Sequence, residues 1–176
     1  MLIAKHYKGK HDQSSHGHSA HHRSQYATIE SVTSDHLSDW ESLPNTDYKR
    51  MQTEFLKDAM TGSLPIIGIQ KGGKLKAFAT YRYDAKDKAN KTIYIPQLSA
   101  SPAKEKGWGT AIMREVANIA IDNKAKIKLI SANEDSSLFY KAIGMTTLDN
   151  IVFEWDQKQI KAFAKSYDDL AKKTLS

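Results

Sequence analysis

Between Thr92 and Met145 the chain carries an apolar run, a paired-glycine loop, a long three–four periodic stretch, a second apolar run and a short final segment. Few folds accommodate that order. The first run, Thr92-Ile93-Tyr94-Ile95-Pro96-Gln97-Leu98, reads as a strand. Lys104-Glu105-Lys106-Gly107-Trp108-Gly109 reads as a loop. From Thr110 to Asp122 the apolar residues Ile112, Met113, Val116, Ile119 and Ala120 fall on one face of a helix. A glycine loop feeding a helix holds unpaired N–H groups at the positive end of the helix dipole, an arrangement that suits an anion. Gly-x-Gly before a helix is also a common tight turn, because glycine tolerates positive φ. The continuation narrows the reading. Ile127-Lys128-Leu129-Ile130 is a second strand, followed by Ser131-Ala132-Asn133 and a segment from Glu134 to Met145 with a tyrosine at 140.

Taken together, the loop and this last segment resemble the GNAT superfamily of acyl-CoA-dependent N-acetyltransferases. That family's pyrophosphate loop is Gln/Arg-x-x-Gly-x-Gly/Ala, and Lys104 to Gly109 fits it with Lys at the first place. Its later motif sets an Asn seven residues before a Tyr, then a Gly and a large apolar residue; Asn133, Tyr140, Gly144 and Met145 keep that spacing. The likeness covers residues 64–155 and, more loosely, 26–155. It implies an α+β (α/β sandwich) fold with a mixed, mostly antiparallel central sheet flanked by helices. It implies an N-acetyltransferase with acetyl-CoA as cosubstrate and a small-molecule or protein amine as acceptor. The resemblance assigns cofactor binding to Lys104, Lys106, Gly107, Trp108, Gly109 and Thr110, with pantetheine pairing along Gln97, Leu98 and Ser99. It gives Asn133 a hydrogen bond to a pantetheine amide. Tyr140 becomes the general acid to the leaving thiolate, against the plainer reading of a packed helix aromatic. The family's strand glutamate falls near Ile93, which cannot serve as a base. That leaves Asp84, Glu105, Glu30 or a water held by Tyr81 and Tyr83. The alternative reading is a non-catalytic protein of the same fold, virion-associated or acting on a host protein.

Composition bounds the rest. A chain of 176 residues suggests one domain with tails. No apolar run approaches a membrane span. The absence of cysteine excludes disulfides and thiolate metal sites and fits a cytoplasmic protein. The formal charge of +6 gathers at the ends. Residues 1–25 carry Lys5, Lys8, Lys10 and Arg23 against Asp12, and hold His6, His11, His16, His18, His21 and His22. Almost devoid of apolar side chains, this tail is expected to be flexible and not to form a metal site. Lys10 to Gly17 is similar to a short stretch of phage head-morphogenesis proteins, which raises a phage or host partner for the tail and a virion location. Nucleic acid is not expected as a partner.

The domain itself is expected over 26–155. Ala27 to Val32 suits a first strand; Ser34-Asp35 opens a helix with Leu37 and Trp40. Thr46-Asp47 caps a second helix carrying Met51, Phe55, Leu56 and Met60, which Gly62 ends. Leu64 to Gln70 and Leu75 to Tyr83 flank Lys71-Gly72-Gly73-Lys74, a hairpin signal. Thr146 to Trp155 is expected to supply closing strands, with Ile151, Phe153 and Trp155 alternating. Residues 156–176 add a helix, its stripe being Ile160, Phe163, Ala164, Tyr167, Leu170 and Ala171. This helix either covers the sheet or forms a homodimer contact.

Overall fold

Six short runs of β-favouring residues, each bounded by turn residues or a helix, become one sheet. A computed structural model of the chain describes residues 27–29, 47–62, 64–84, 91–100 and 107–175. The strands are β1 (Ala27–Ile29), β2 (Ile66–Lys71), β3 (Lys74–Tyr83), β4 (Thr92–Ala100), β5 (Lys126–Ile130) and β6 (Val152–Trp155), and they lie side by side in chain order. The helices are α1 (Asp47–Thr61), α2 (Trp108–Asn123), α3 (Glu134–Ala142) and α4 (Gln157–Leu175). Pairs β1–β2, β2–β3 and β5–β6 are antiparallel, and β4–β5 is parallel. The expected α+β fold with a mostly antiparallel sheet and an added C-terminal helix is therefore present. The expected helix from Ser34 and the tail through residue 25 lie outside the described residues, as do Glu30, Lys104, Glu105 and Lys106.

By their internal contacts the described residues group into two units, divided within β3, β4 and α2. One takes β1, α1, β2, β3 through Thr80, β4 from Gln97 and α2 through Ile112; the other takes the remainder. In the first, Ile66, Ile67 and Ile69 of β2 are all fully buried, as a strand covered on both faces requires. Phe78 of β3 and Leu56 of α1 are buried as completely. Gly72 and Gly73 take φ of +58° and +76°, the two positive values that a two-residue turn matching the strand twist demands.

In the second unit Ile93, Ile127, Phe153 and Trp155 are buried on one side of their strands, together with Val116 of α2 and Ile160 of α4. A bidentate fork fixes α4 to α2: Arg114 donates from Nε to Asp168 Oδ1 at 3.1 Å and from Nη2 to Oδ2 at 2.9 Å. Arg114 also donates to Asn118 Oδ1 within its own helix. The C-terminal helix is thus tied to the second half of α2 within its own unit.

Two positions depart from the expected pattern. Leu170 is 65% exposed. At 3.6 residues per turn it sits about 100° around the helix from the row of Ile160, Ala164 and Ala171. Ile151 is 55% exposed and precedes β6. The carboxylate of Asp149 accepts the N–H groups of Ile151 and Val152, both at 2.9 Å, and holds this stretch as a bend. Those bonds keep the Asp149 carboxyl below its ordinary value. Instead of two closing strands there is β6 and an isolated bridge from Thr146 to Glu154.

Removing one partner of the Arg114–Asp168 fork leaves a half-buried charge without its counterion. Arg114→Ala should lower the unfolding free energy in urea by about 2 kcal/mol. A double-mutant cycle with Asp168→Ala should show a coupling of about 1 kcal/mol or more. Strict additivity would mean that the fork does not hold α4.

Candidate active site

The site is described from its two segments, each within its own unit. In the first unit, β4 continues to Ala100 and the chain re-enters the described structure at Gly107. Gly107 has φ +100°, a conformation only glycine holds without strain. Its carbonyl accepts the N–H of Ala111 at 2.9 Å, the first bond of α2. A Cβ built at Gly107 would meet none of the described residues within 4 Å. The helix begins at Trp108, two residues earlier than expected. Trp108, Gly109 and Thr110 therefore form its first turn, with their N–H groups at the positive end of the helix dipole. The indole of Trp108 is 8% exposed. The ammonium groups of Lys71 and Lys76 lie 5.8 and 5.9 Å from its ring centre. These lysines were not expected at the site. The Lys-rich turn was visible in the sequence, but not what it faces. Of the residues expected to run beside pantetheine, Ser99 is buried, while Gln97 and Leu98 are half-buried.

In the second unit the parallel ladder between β4 and β5 has four pairs, from Thr92 with Lys126 to Ile95 with Leu129. The next residue, Pro96, brings no N–H to either neighbour, and β4 runs on past the last pair. The chain after β5 becomes α3, closed at both ends. Asn133 is its N-cap: Oδ1 accepts the N–H of Ser136 at 2.9 Å, and the hydroxyl of Ser136 accepts the N–H of Asn133 at 3.1 Å, a reciprocal cap. Glu134 and Asp135 in the first turn and Lys141 in the last complement the helix dipole. At the far end Gly144, φ +91°, donates to the Lys141 carbonyl, and Met145 donates to the Tyr140 carbonyl, both at 3.0 Å. This is the Schellman closure, with Met145 and Tyr140 both buried.

Tyr140 is 7% exposed; its ring lies 5.4 Å from that of Phe153 and 5.3 Å from that of Phe139. Asn133, Ser137, Leu138, Lys141 and Ile151 border a cleft of about 400 Å³ beside α3, which Tyr140 does not line. Ser137 ties the cleft floor together, donating to the Asn150 carbonyl at 2.9 Å and lying 2.7 Å from the Ser131 hydroxyl.

Among the base candidates, Asp84 lies at the end of β3, where its N–H donates to the Thr92 carbonyl. Tyr81 and Tyr83 meet edge to face at 6.1 Å. Burial, with the neighbouring Tyr83 phenol, pushes Tyr81 up to about 12, and burial also raises Tyr83. Both rings therefore stay neutral near pH 7 and can hold a water only as neutral hydroxyls. No group of three or more His, Cys, Asp or Glu among the described residues could hold a metal ion, and no described helix is long and apolar enough to cross a membrane.

In a near-UV absorbance titration Tyr81 should ionise last, and Tyr81→Phe should remove that late component. The unfolded chain loses its tyrosine proton first, near 10.0, while folded Tyr81 keeps its proton to about 12. Folding stability should therefore fall as pH rises through that window and should be indifferent to Tyr81 below it. A variant that titrates and unfolds like the parent would contradict the burial of this phenol.

No protein-family model matches the chain, and no curated protein is similar to it in sequence. Solved structures match the fold. A Tyr-to-Phe variant of KacT superposes with a TM-score of 0.62 at 12% identity, over 78% of this chain and 98% of that one. AtaTR bound with AcCoA gives 0.62 at 11%, over 79% and 98%. A Desulfovibrio desulfuricans protein assigned to the acetyltransferases of the GNAT family gives 0.54 at 12%, over 75% and 99%. The chain has the fold of the GNAT acetyltransferases.

Proposed function

From that fold we propose that this chain is an acetyl-CoA-dependent N-acetyltransferase acting on a primary amine. The observation that carries the reading is the course of β4. It leaves its parallel partner after Ile95, runs on to Ala100, and is followed in the chain by Gly107 and the head of α2. A strand that runs on past its parallel ladder can pair with the amides of a pantetheine arm as with an added strand. A Cβ at Gly107 would meet none of the described residues, and the positive end of α2 would match the charge of a pyrophosphate.

In this reading a backbone N–H of Gln97 to Ser99 polarises the thioester carbonyl. The neutral amine attacks that carbon, the C–N bond forms and the C–S bond breaks. Tyr140 gives its phenolic proton to the departing thiolate, and the nitrogen releases one to solvent or to a base. Tyr140 suits the task because a phenol with an ordinary pKa of about 10 keeps its proton at neutral pH and yields it to a strong base. Lys104 and Lys106 add charge at the pyrophosphate loop. The acceptor is a small-molecule or protein amine. AtaT is solved with acetyl-methionyl-tRNAfMet, so an aminoacyl-tRNA belongs in an acceptor screen beside polyamines, amino acids and peptides.

Acetyl-CoA at a hundredfold excess over its dissociation constant should stabilise the fold by about 2.7 kcal/mol. Gly107→Ala and Gly107→Glu share the cost of an L residue at φ +100°. Only the glutamate places a negative charge among the phosphates, so it should abolish the cofactor-dependent rise in Tm while alanine keeps part of it. Equal rises in both variants would place the cofactor elsewhere.

Tyr140→Phe retains the ring between Phe139 and Phe153 and removes only the hydroxyl. Single-turnover acetyl transfer should slow about a hundredfold, with acetyl-CoA affinity nearly unchanged. A single-turnover rate equal to that of the parent would return Tyr140 to a packing role.

A further inference from the structure

Glu134, Leu138 and Lys141 stand at i, i+4 and i+7 of α3, so they share one side of the helix. All three are exposed, Leu138 by 57%. The stripe therefore reads acid, apolar, base over about 10 Å of helix. No ion pair among the described residues uses Glu134 or Lys141.

The same three residues line the cleft of about 400 Å³ beside α3, together with the exposed Ile151. Ser137 also lines it, a small side chain that bonds the Asn150 carbonyl and leaves the space open. Two residues before Asn150, Leu148 is wholly exposed. Its turn is fixed: Asp149 accepts the N–H groups of Ile151 and Val152, and the Thr147 hydroxyl accepts the N–H of Asn150 at 3.0 Å. Hydrogen-bonded backbone thus holds three apolar side chains in water at or beside one cleft, and covering them is favourable.

Charge selects the cover. A partner of one sign would lose at one end of the stripe what it gained at the other. A second α3 turned end for end fits both ends, because Glu134 then meets the partner's Lys141 and Lys141 meets the partner's Glu134. A two-fold axis makes each such contact twice.

We propose that the Glu134–Leu138–Lys141 stripe and the cleft beside it are a self-association face, on which a second copy of this chain docks with its α3 antiparallel to the first. The two Leu138 side chains meet at the axis, and the apolar residues of the 147–151 turn extend the covered surface. Two short helices cover little area, so the dimer is weak and sensitive to salt. The proposal is independent of the acetyltransferase reading.

The test is sedimentation velocity on the full chain from about 1 µM to about 500 µM. The parent should show a monomer–dimer equilibrium that weakens in high salt. Leu138→Gln alters an exposed side chain and no cap, and it should raise the dissociation constant about tenfold or more. Glu134→Lys and Lys141→Glu each turn two attractions into two repulsions, and each alone should weaken the dimer by about the same factor. An equimolar mixture of these two variants should form a heterodimer at least as tight as the parent dimer, because one copy then carries both bases and the other both acids. Only an antiparallel two-fold contact gives that rescue. Circular dichroism establishes that each variant is folded, and Leu138→Gln carries the test by itself if a charge variant alters the spectrum. A parent that stays monomeric throughout would overturn the proposal and leave the cleft to a different molecule. A dimer that folded Leu138→Gln leaves intact would overturn it too, as would folded charge variants whose mixture stays monomeric.

Discussion

Two parallel strands cannot be joined by a tight turn, and that constraint organises the chain from Thr92 onward. β4 and β5 run the same way, so the chain must travel back between them, and α2 is that return. Because the ladder stops after Ile95, where Pro96 offers no N–H, the last residues of β4 belong to the crossover as much as to the sheet. The crossover then has to turn sharply enough to start a helix, and Gly107 at φ +100° makes the turn. A strand that outruns its parallel ladder and a helix start follow from one topological requirement. Function, on the proposed reading, occupies features that the backbone connection already produces.

The Asn133–Tyr140–Gly144–Met145 spacing has a physical explanation that precedes any chemistry. A nine-residue helix is too short to hold itself in water and depends on its ends. Asn133 closes one end, and Gly144 with Met145 closes the other. Tyr140 is the residue whose carbonyl receives the outer Schellman bond and whose ring packs on Phe153. Its backbone and ring are therefore fixed together.

Features that depend on local periodicity were legible in the sequence. Ile112, Met113, Val116, Ile119 and Ala120 are all buried as their three–four spacing requires, Gly72-Gly73 forms the turn, and α4 runs over Gln157–Leu175. What could not be read depends on partners distant in sequence. Alternation alone gives Lys76 a place on the ladder; only the register against β2 shows it bulged, and only the position of Trp108 shows what it meets. Ile151 has the spacing of a strand residue, but Asp149 takes its N–H and the bend leaves it exposed. Arg114 and Asp168 stand 54 residues apart, and no window of sequence joins them. The glycine loop was legible as a turn that starts a helix, but the cations gathered beside that start come from a hairpin more than thirty residues earlier.

The cap also constrains what Asn133 can do for a cofactor. Its Oδ1 accepts the Ser136 N–H with one of two lone pairs, and the Nδ2 group is a donor. If Asn133 bonds a pantetheine amide, as the resemblance implies, its Nδ2 group can donate to the carbonyl of that amide while Oδ1 keeps the cap. An aspartate could cap the helix equally well but would offer no donor, because an ionised carboxylate only accepts. Asparagine combines a capping oxygen with a donor that stands on a separate atom. On the proposed reading, one residue both starts the helix that carries Tyr140 and meets the cofactor that Tyr140 serves.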